Sequence, residues 1–245
     1  LPLSHIDNDA NLRVTFRYLR TYSAAAANPS SDPFLVISSA LSAALVHYYP
    51  LTGSLCRRPD NRLEVLCSKS QTVSLIRASV DSTLESLGYL HDPDAHFVER
   101  LVPNPGPDEG LARPCILQLT MFECGGYALG AAMHHAICDG LGASQFFNLA
   151  AGLARGEVSG PPVQPVWDRE KLGPRDPPRV EPPIGEFLRL DKGLSPYEQD
   201  IGPVVRASFD VSDACLDRFK KELLDRSGSS FTTFEALGAF MWRAK

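Results

Sequence analysis

The chain has 245 residues, 44% of them hydrophobic and 22% charged, with a formal net charge of -5. That composition is ordinary for a soluble globular protein and allows a sizeable core, in one large domain or two smaller ones. The basic residues are scattered, which argues against nucleic acid, and no apolar run reaches the ~18 residues of a membrane span.

Residues 12–22 read as a strand, with Leu12, Val14 and Phe16 alternating against Arg13, Thr15 and Arg17. A loop of small residues follows over 23–31. Asp32 is then a natural N-cap and Pro33 suits the first helical position. Phe34, Ile37, Leu41, Leu45 and Tyr48 share one helical face, and Pro50 ends a helix over 32–49. His47 falls at its C-terminal end, where an imidazole serves a structural role against the helix dipole. Short strands are expected at 63–66 and 73–76, a short helix at 81–89, and a Pro-rich acidic loop over 91–110.

Two alternating runs, 115–123 and 127–135, flank Cys124-Gly125-Gly126 and predict an antiparallel hairpin. On the second run Tyr127, Leu129, Ala131, Met133 and His135 share a face, while His134 points to the other. A helix is predicted over 144–155, with Gly156 as its stop. Residues 157–202 are rich in Pro and charge without a sustained period, and are expected to be a crossover linker with little regular structure. A strand at 204–209 and a helix at 213–226 follow. Thr232 and Glu235 form a capping box that opens a last helix through Trp242.

The six cysteines are spread through apolar stretches without a C-x-x-C pair, so they are expected to be reduced and buried, as in a cytoplasmic protein. The chain opens on Leu1 rather than Met and stops in mid-helix, so neither terminus is expected to be native.

The chemistry concentrates in Met133-His134-His135-Ala136-Ile137-Cys138-Asp139-Gly140. A histidine stands where a buried strand ends and a helix begins. Imidazole is the side chain best suited to moving a proton near neutral pH. A His followed four residues later by an Asp is by itself a cheap pattern, and a His on an apolar strand is usually core. A second His, tiny neighbours and a following Gly raise its weight. His135 reads as a general base, and Asp139 as a holder of the local turn or of an imidazole. Gly140 is expected to give the backbone freedom there. Metal ligation is disfavoured, because adjacent strand residues point apart and no second ligand cluster exists. Cys138 could be a nucleophile beside His135, but as a small apolar residue it fits the core better.

These residues resemble the plant BAHD acyltransferases, whose hallmark is H-x-x-x-D, here His135 to Asp139, followed by Gly140. Leu3-Ser4-His5-Ile6-Asp7, Tyr48-Tyr49-Pro50-Leu51-Thr52-Gly53, Pro165-Val166-Trp167-Asp168-Arg169-Glu170 and Thr233-Phe234-Glu235-Ala236-Leu237 are similar to further family segments in the same order. The resemblance implies an α/β fold: a chloramphenicol-acetyltransferase-like mixed sheet flanked by helices. It implies an N-terminal acyltransferase domain over 1–156, a linker over 157–202, and at 203–245 the start of a second, similar domain. The family's D-F-G-W-G motif is missing, so the C-terminal half of the protein is expected to lie outside this chain.

The implied reaction moves an acyl group from acyl-CoA, a co-substrate rather than a resident cofactor, to a hydroxyl or amine of a small specialised metabolite. No acyl-enzyme forms. His135 is the base, Asp139 points away from the cavity and holds the geometry, and Phe16 and Gly140 are candidate substrate contacts. Asp139→Asn is expected to lower stability along with activity. The complete enzyme is expected to be a cytoplasmic monomer with no metal, nucleic-acid or membrane partner. A condensation domain fed by carrier-protein thioesters shares H-H-x-x-x-D-G but not the Tyr-Pro-Leu and Trp-Asp-Arg-Glu segments. A non-catalytic binding module of the same fold is the third reading.

Overall fold

The computed structural model describes residues 1–24, 32–90, 94–177, 179 and 209–244. The chain divides into two compact units, Leu1–Glu181 and Pro182–Lys245.

The first unit is built on a four-stranded mixed sheet of β1 (Thr15–Tyr22), β4 (Ser74–Val80), β5 (Cys115–Phe122) and β6 (Tyr127–His134), in the order β1-β6-β5-β4. β5 and β6 form the expected hairpin, and β1 adds antiparallel to β6 with Phe16 opposite Met133. β4 lies parallel to β5. A separate antiparallel pair, β2 (Ser54–Arg57) and β3 (Leu63–Leu66), packs Leu55, Leu63 and Val65 into the same core.

One face of the sheet is covered by α1 (Pro33–His47) and α4 (Gly140–Arg155), which lie against each other. Leu117 and Leu119 of β5 and Leu129, Ala131 and Met133 of β6 point at them, following the two-residue period of a strand. Aromatic edges close this core: Tyr48 meets Phe146 at 5.6 Å and Tyr18 meets Phe147 at 5.5 Å between ring centroids. The opposite face carries a smaller cluster. There Phe122 and Ala128 pack with Leu84, Leu101 and Val102, and Phe97 of the short helix α2 (Ala95–Arg100) adds to it.

α1 begins as its sequence dictates: the Asp32 carboxylate accepts from the Phe34 N–H at 3.0 Å, with Pro33 in the first turn. β1 starts three residues later than expected, because Asp9 caps a 3-10 turn at Ala10–Leu12 instead. The helix expected at 81–89 does not form. Thr83 takes the Ser86 N–H on its hydroxyl, and Gly88, Tyr89 and Leu90 all adopt positive φ. Such side chain to backbone bonds compete directly with a helix ladder. The loop expected at 91–110 contains α2 and α3 (Pro107–Ala112), each too short to show a period. α4 begins at Gly140 rather than at residue 144. The weak helix formers Gly140 and Gly142 hide its first turn in the sequence, and the Asp139 cap compensates for them.

Of the expected linker, the described part holds one 3-10 turn at Arg169–Lys171; the remainder, and residues 204–208 of the strand expected at 204–209, lie outside the described residues. Cys115 and Cys138 are buried, but Cys124 and Cys215 are exposed, which corrects the expectation for those two: one sits at the hairpin tip and one on a helix surface. Among the described residues no helix is long and apolar enough to cross a membrane.

The second unit contains α5 (Asp213–Ser227) and α6 (Thr233–Ala244). The capping box is formed: the Thr232 N–H donates to Glu235 Oε2 at 2.8 Å, and the Glu235 N–H to Thr232 Oγ1 at 3.2 Å. Phe219 and Phe240 meet edge to face, while Trp242 remains 85% exposed.

Candidate active site

β6 delivers the two histidines to the end of the sheet. The His134 N–H donates to Pro114 O, and the His135 N–H to Val14 O, both at 2.8 Å, so pairing with β1 continues one residue past the strand. The chain then turns tightly, with the Ile137 N–H on His134 O at 3.0 Å, before α4 begins.

The His135 ring lies on the helix-covered side of the sheet, where the ring of Phe16 approaches it at 5.4 Å and 68°. Its Nδ1 is buried and has no hydrogen-bond partner. Among the described residues no side chain bonds Nε2 either. An unpartnered buried polar atom costs about 1–3 kcal/mol, and such atoms recur at functional sites. The ring borders a cavity of about 330 Å³ lined by Ile6, Asp7, Leu12, Cys138, Asp139 and Arg169. Phe16 touches His135 but does not border that cavity, and neither does Gly140.

Asp139 does not meet the imidazole. Its Oδ1 accepts from the Gly142 N–H at 2.7 Å and caps α4. Asp139 is among the residues that line the cavity beside His135, and its carboxylate is engaged at the start of α4. Asp139→Ala should cost about 1 kcal/mol of stability. Asn is as good an N-cap, so Asp139→Asn should keep most of it, contrary to the expectation from sequence. Urea unfolding of the two variants checks the difference. Gly140 does not need its conformational freedom: it is the first helical residue, its φ is not positive, and an added Cβ would meet nothing within 4 Å.

His134 is structural. It is 4% exposed, and its Nδ1 accepts from the Ala136 N–H at 3.2 Å, which leaves the proton on Nε2. Burial first, then the neighbouring His135, pushes its pKa down to about 4. The folded state therefore leaves it neutral while the unfolded chain protonates it near 6.5. Its contribution to stability is present above pH 6.5 and falls away toward pH 4, by on the order of 3 kcal/mol. His134→Asn keeps an acceptor near Nδ1 without the charge. Its unfolding free energy should depend less steeply on pH between 6.5 and 4 than that of the parent, and equal slopes would refute the assignment.

The Cys138 thiol donates to Asp139 O at 3.4 Å, and burial, with Asp139 beside it, pushes it up to about 12. Such a thiol is almost wholly protonated at neutral pH and is a poor nucleophile. Among the described residues no group of three or more His, Cys, Asp or Glu is placed to hold a metal ion.

Sequence reasoning assigned no site role to Arg169 or Asp7. Arg169 reaches back to the turn after His135, donating to Ala136 O at 3.0 Å and Ile137 O at 2.7 Å, and it pairs with Asp7 Oδ2 at 3.1 Å. The only signal in the sequence was that each lies in a family-like segment.

Comparison with known proteins gives the chain its place. The family model described as "Transferase family" matches residues 1–245. The chain is 35% identical to 13-hydroxylupanine O-tigloyltransferase of Lupinus albus over 99% of its own length and 53% of that protein's. It is 32% identical to 3'-N-debenzoyl-2'-deoxytaxol N-benzoyltransferase of Taxus canadensis over 100% of its own length and 54% of that protein's. The chain thus spans about half the length of these curated relatives. The crystal structure of F. graminearum TRI101 complexed with ethyl coenzyme A superposes with a TM-score of 0.64 at 15% identity, covering 98% of this chain and 58% of that one, which places the two in one fold. The chain belongs to the Transferase family, the plant BAHD acyltransferases that its motifs resemble.

Proposed function

We propose that the full-length protein transfers an acyl group from an acyl-CoA thioester to a hydroxyl or amine of a small specialised metabolite, with His135 as general base. The observation that carries this reading is a histidine at a strand end whose ring is free of hydrogen bonds among the described residues, beside a cavity, in a chain of this family. Relatives named as an O-tigloyltransferase and an N-benzoyltransferase support both kinds of acceptor, and the complex of TRI101 with ethyl coenzyme A supports the donor.

Nδ1 is closed off from solvent, so the reaction uses Nε2. The acceptor O–H or N–H gives its proton to Nε2 as the oxygen or nitrogen attacks the thioester carbonyl. The tetrahedral oxyanion collapses, the C–S bond breaks, and the departing thiolate takes the proton back from the imidazolium. Ester or amide and free CoA leave, and His135 is neutral again. The carboxylate of Asp139 serves α4 and takes no proton. The low thiolate fraction of Cys138 supports direct transfer over an acyl-cysteine. In this reading a C-terminal portion like that of the relatives completes the enzyme, as a monomer, and the free thiols fit a cytoplasmic site.

Assaying the full-length protein against a panel of acyl-CoAs and small acceptors, read by thiol release, tests this. Release that depends on the acceptor is expected, and Cys138→Ala should retain turnover within about threefold, since no step uses the thiol. Activity confined to carrier-protein thioesters would favour a condensation reaction instead. Binding without turnover for every pair would point to a non-catalytic module.

A further inference from the structure

The turn that carries His135 is held by a residue 34 positions further along the chain. Residues 136–138 lie between the imidazole and the α4 cap, and Ala136 and Ile137 are 0% and 2% exposed. The Ala136 and Ile137 N–H groups are satisfied within the turn, by His134 Nδ1 and His134 O. Their carbonyls take the two arms of one guanidinium: Nη1 of Arg169 on Ala136 O at 3.0 Å and Nη2 on Ile137 O at 2.7 Å.

Arg169 is itself held from several sides. Asp7 Oδ2 lies 3.1 Å from Nη1, and the two side chains are 23% and 21% exposed. Asp7 is locked by Ser4, whose N–H donates to Asp7 Oδ2 and whose hydroxyl accepts from the Asp7 N–H, both at 3.0 Å. The guanidinium stacks on Trp167 at 3.9 Å, and the Trp167 indole N–H donates to Pro2 O at 3.0 Å. The His5 N–H reaches Leu172 O at 3.2 Å and ties the same two segments together. Two stretches remote in sequence thus converge on the turn after His135. A planar fork of donors suits two adjacent carbonyls and a carboxylate at once, where an ammonium would act as a single point charge.

We propose that Arg169 is the positioning residue of this site: it clamps the turn and so holds the His135 ring at the cavity, with Asp7 as its counter-ion and Trp167 as its platform. The inference rests on the proposed role of His135 as base. A general base must sit within hydrogen-bond reach of the proton it takes, and a displacement of about 1 Å can cost about 10²-fold in rate. Arg169 also borders a second cavity of about 260 Å³, shared with Tyr48, Trp167 and Cys138, so it forms part of the wall of both.

The test is steady-state kinetics of the full-length protein with Arg169→Lys, Arg169→Ala and His135→Ala, well below their melting temperatures. Arg169→Ala should lower kcat by about 10- to 100-fold, with KM for acyl-CoA and acceptor within about threefold. Arg169→Lys should recover less than half of the loss, because a single ammonium cannot fork. Millimolar guanidinium added to Arg169→Ala should raise kcat saturably, an effect a general loss of packing would not give. Should Arg169→Ala fail to fold, Arg169→Lys alone decides: parent-like kcat overturns the clamp, and a reduced kcat in a folded protein supports it. Parent-like kcat in folded Arg169→Ala beside an inactive His135→Ala would overturn this inference and spare the base. Near-parental turnover in His135→Ala would remove the base itself.

Discussion

Replacing His135 by alanine in the full-length protein is expected to lower kcat by about 10²–10⁴-fold, the usual worth of a positioned general base, while the protein stays folded. The fold survives because of what the side chain lacks. Its Nδ1 is buried without a partner, so truncation removes an unsatisfied polar atom along with the edge contact to Phe16, and the two changes oppose each other. The turn itself is held through backbone atoms of residues 135–137 and through Arg169, all of which remain. Added imidazole should restore part of the turnover by occupying the space left by the ring. A variant that melts like the parent yet keeps near-normal kcat would show that another group takes the proton.

The largest effect on stability is expected at Gly130, in the middle of β6. Gly130 lies between Leu19 of β1 and Gln118 of β5, on the sheet face away from α1 and α4. There the buried backbone of Leu101 and Val102 crosses directly over it. A Cβ at this position would stand 2.2 Å from Leu101 O and 2.9 Å from Val102 Cα, closer than real carbons approach. The obstacle is backbone, so no rotamer change relieves it. If the 101–102 segment moves away, the neighbouring bond from Gln118 Nε2 to Arg100 O, at 2.8 Å, is strained as well. Gly130→Ala should therefore cost about 3 kcal/mol or more, at the upper end of overpacking. Gly140→Ala is the matched control: it adds the same methyl into open space and should change stability by less than about 0.5 kcal/mol. Urea unfolding of both variants reads the contrast, and similar midpoints would mean that the strand and its cover are not in contact.

The elements legible in the sequence are those whose signals are local. Asp32 and Pro33 marked the start of α1, Gly125-Gly126 the hairpin, Gly156 the end of α4 and Thr232 with Glu235 the start of α6. The period of two correctly sent His134 and His135 to opposite sides. What was not legible depends on distant partners. Nothing in 74–80 says that it pairs parallel with β5, since periodicity encodes a face and not a neighbour. α2 and α3, of six residues each, are shorter than two helical turns. Gly140 was read as a hinge because a Gly follows the Asp, whereas the carboxylate of Asp139 makes that turn by capping. His135 was singled out by its motif. The guanidinium that holds its turn lies 34 residues away, and its contacts are to main-chain carbonyls, which leave no mark on the identity of the residues they touch.

Direct transfer to an acceptor activated by His135 is the centre of this account. Intact-protein mass spectrometry of the full-length enzyme, quenched after incubation with acyl-CoA alone and again with acceptor, tests it most directly. The prediction is an unmodified protein mass in both samples, with free CoA accumulating only when acceptor is present. A protein carrying one acyl group, mapped to Cys138 or His135 and discharged on adding acceptor, would contradict it.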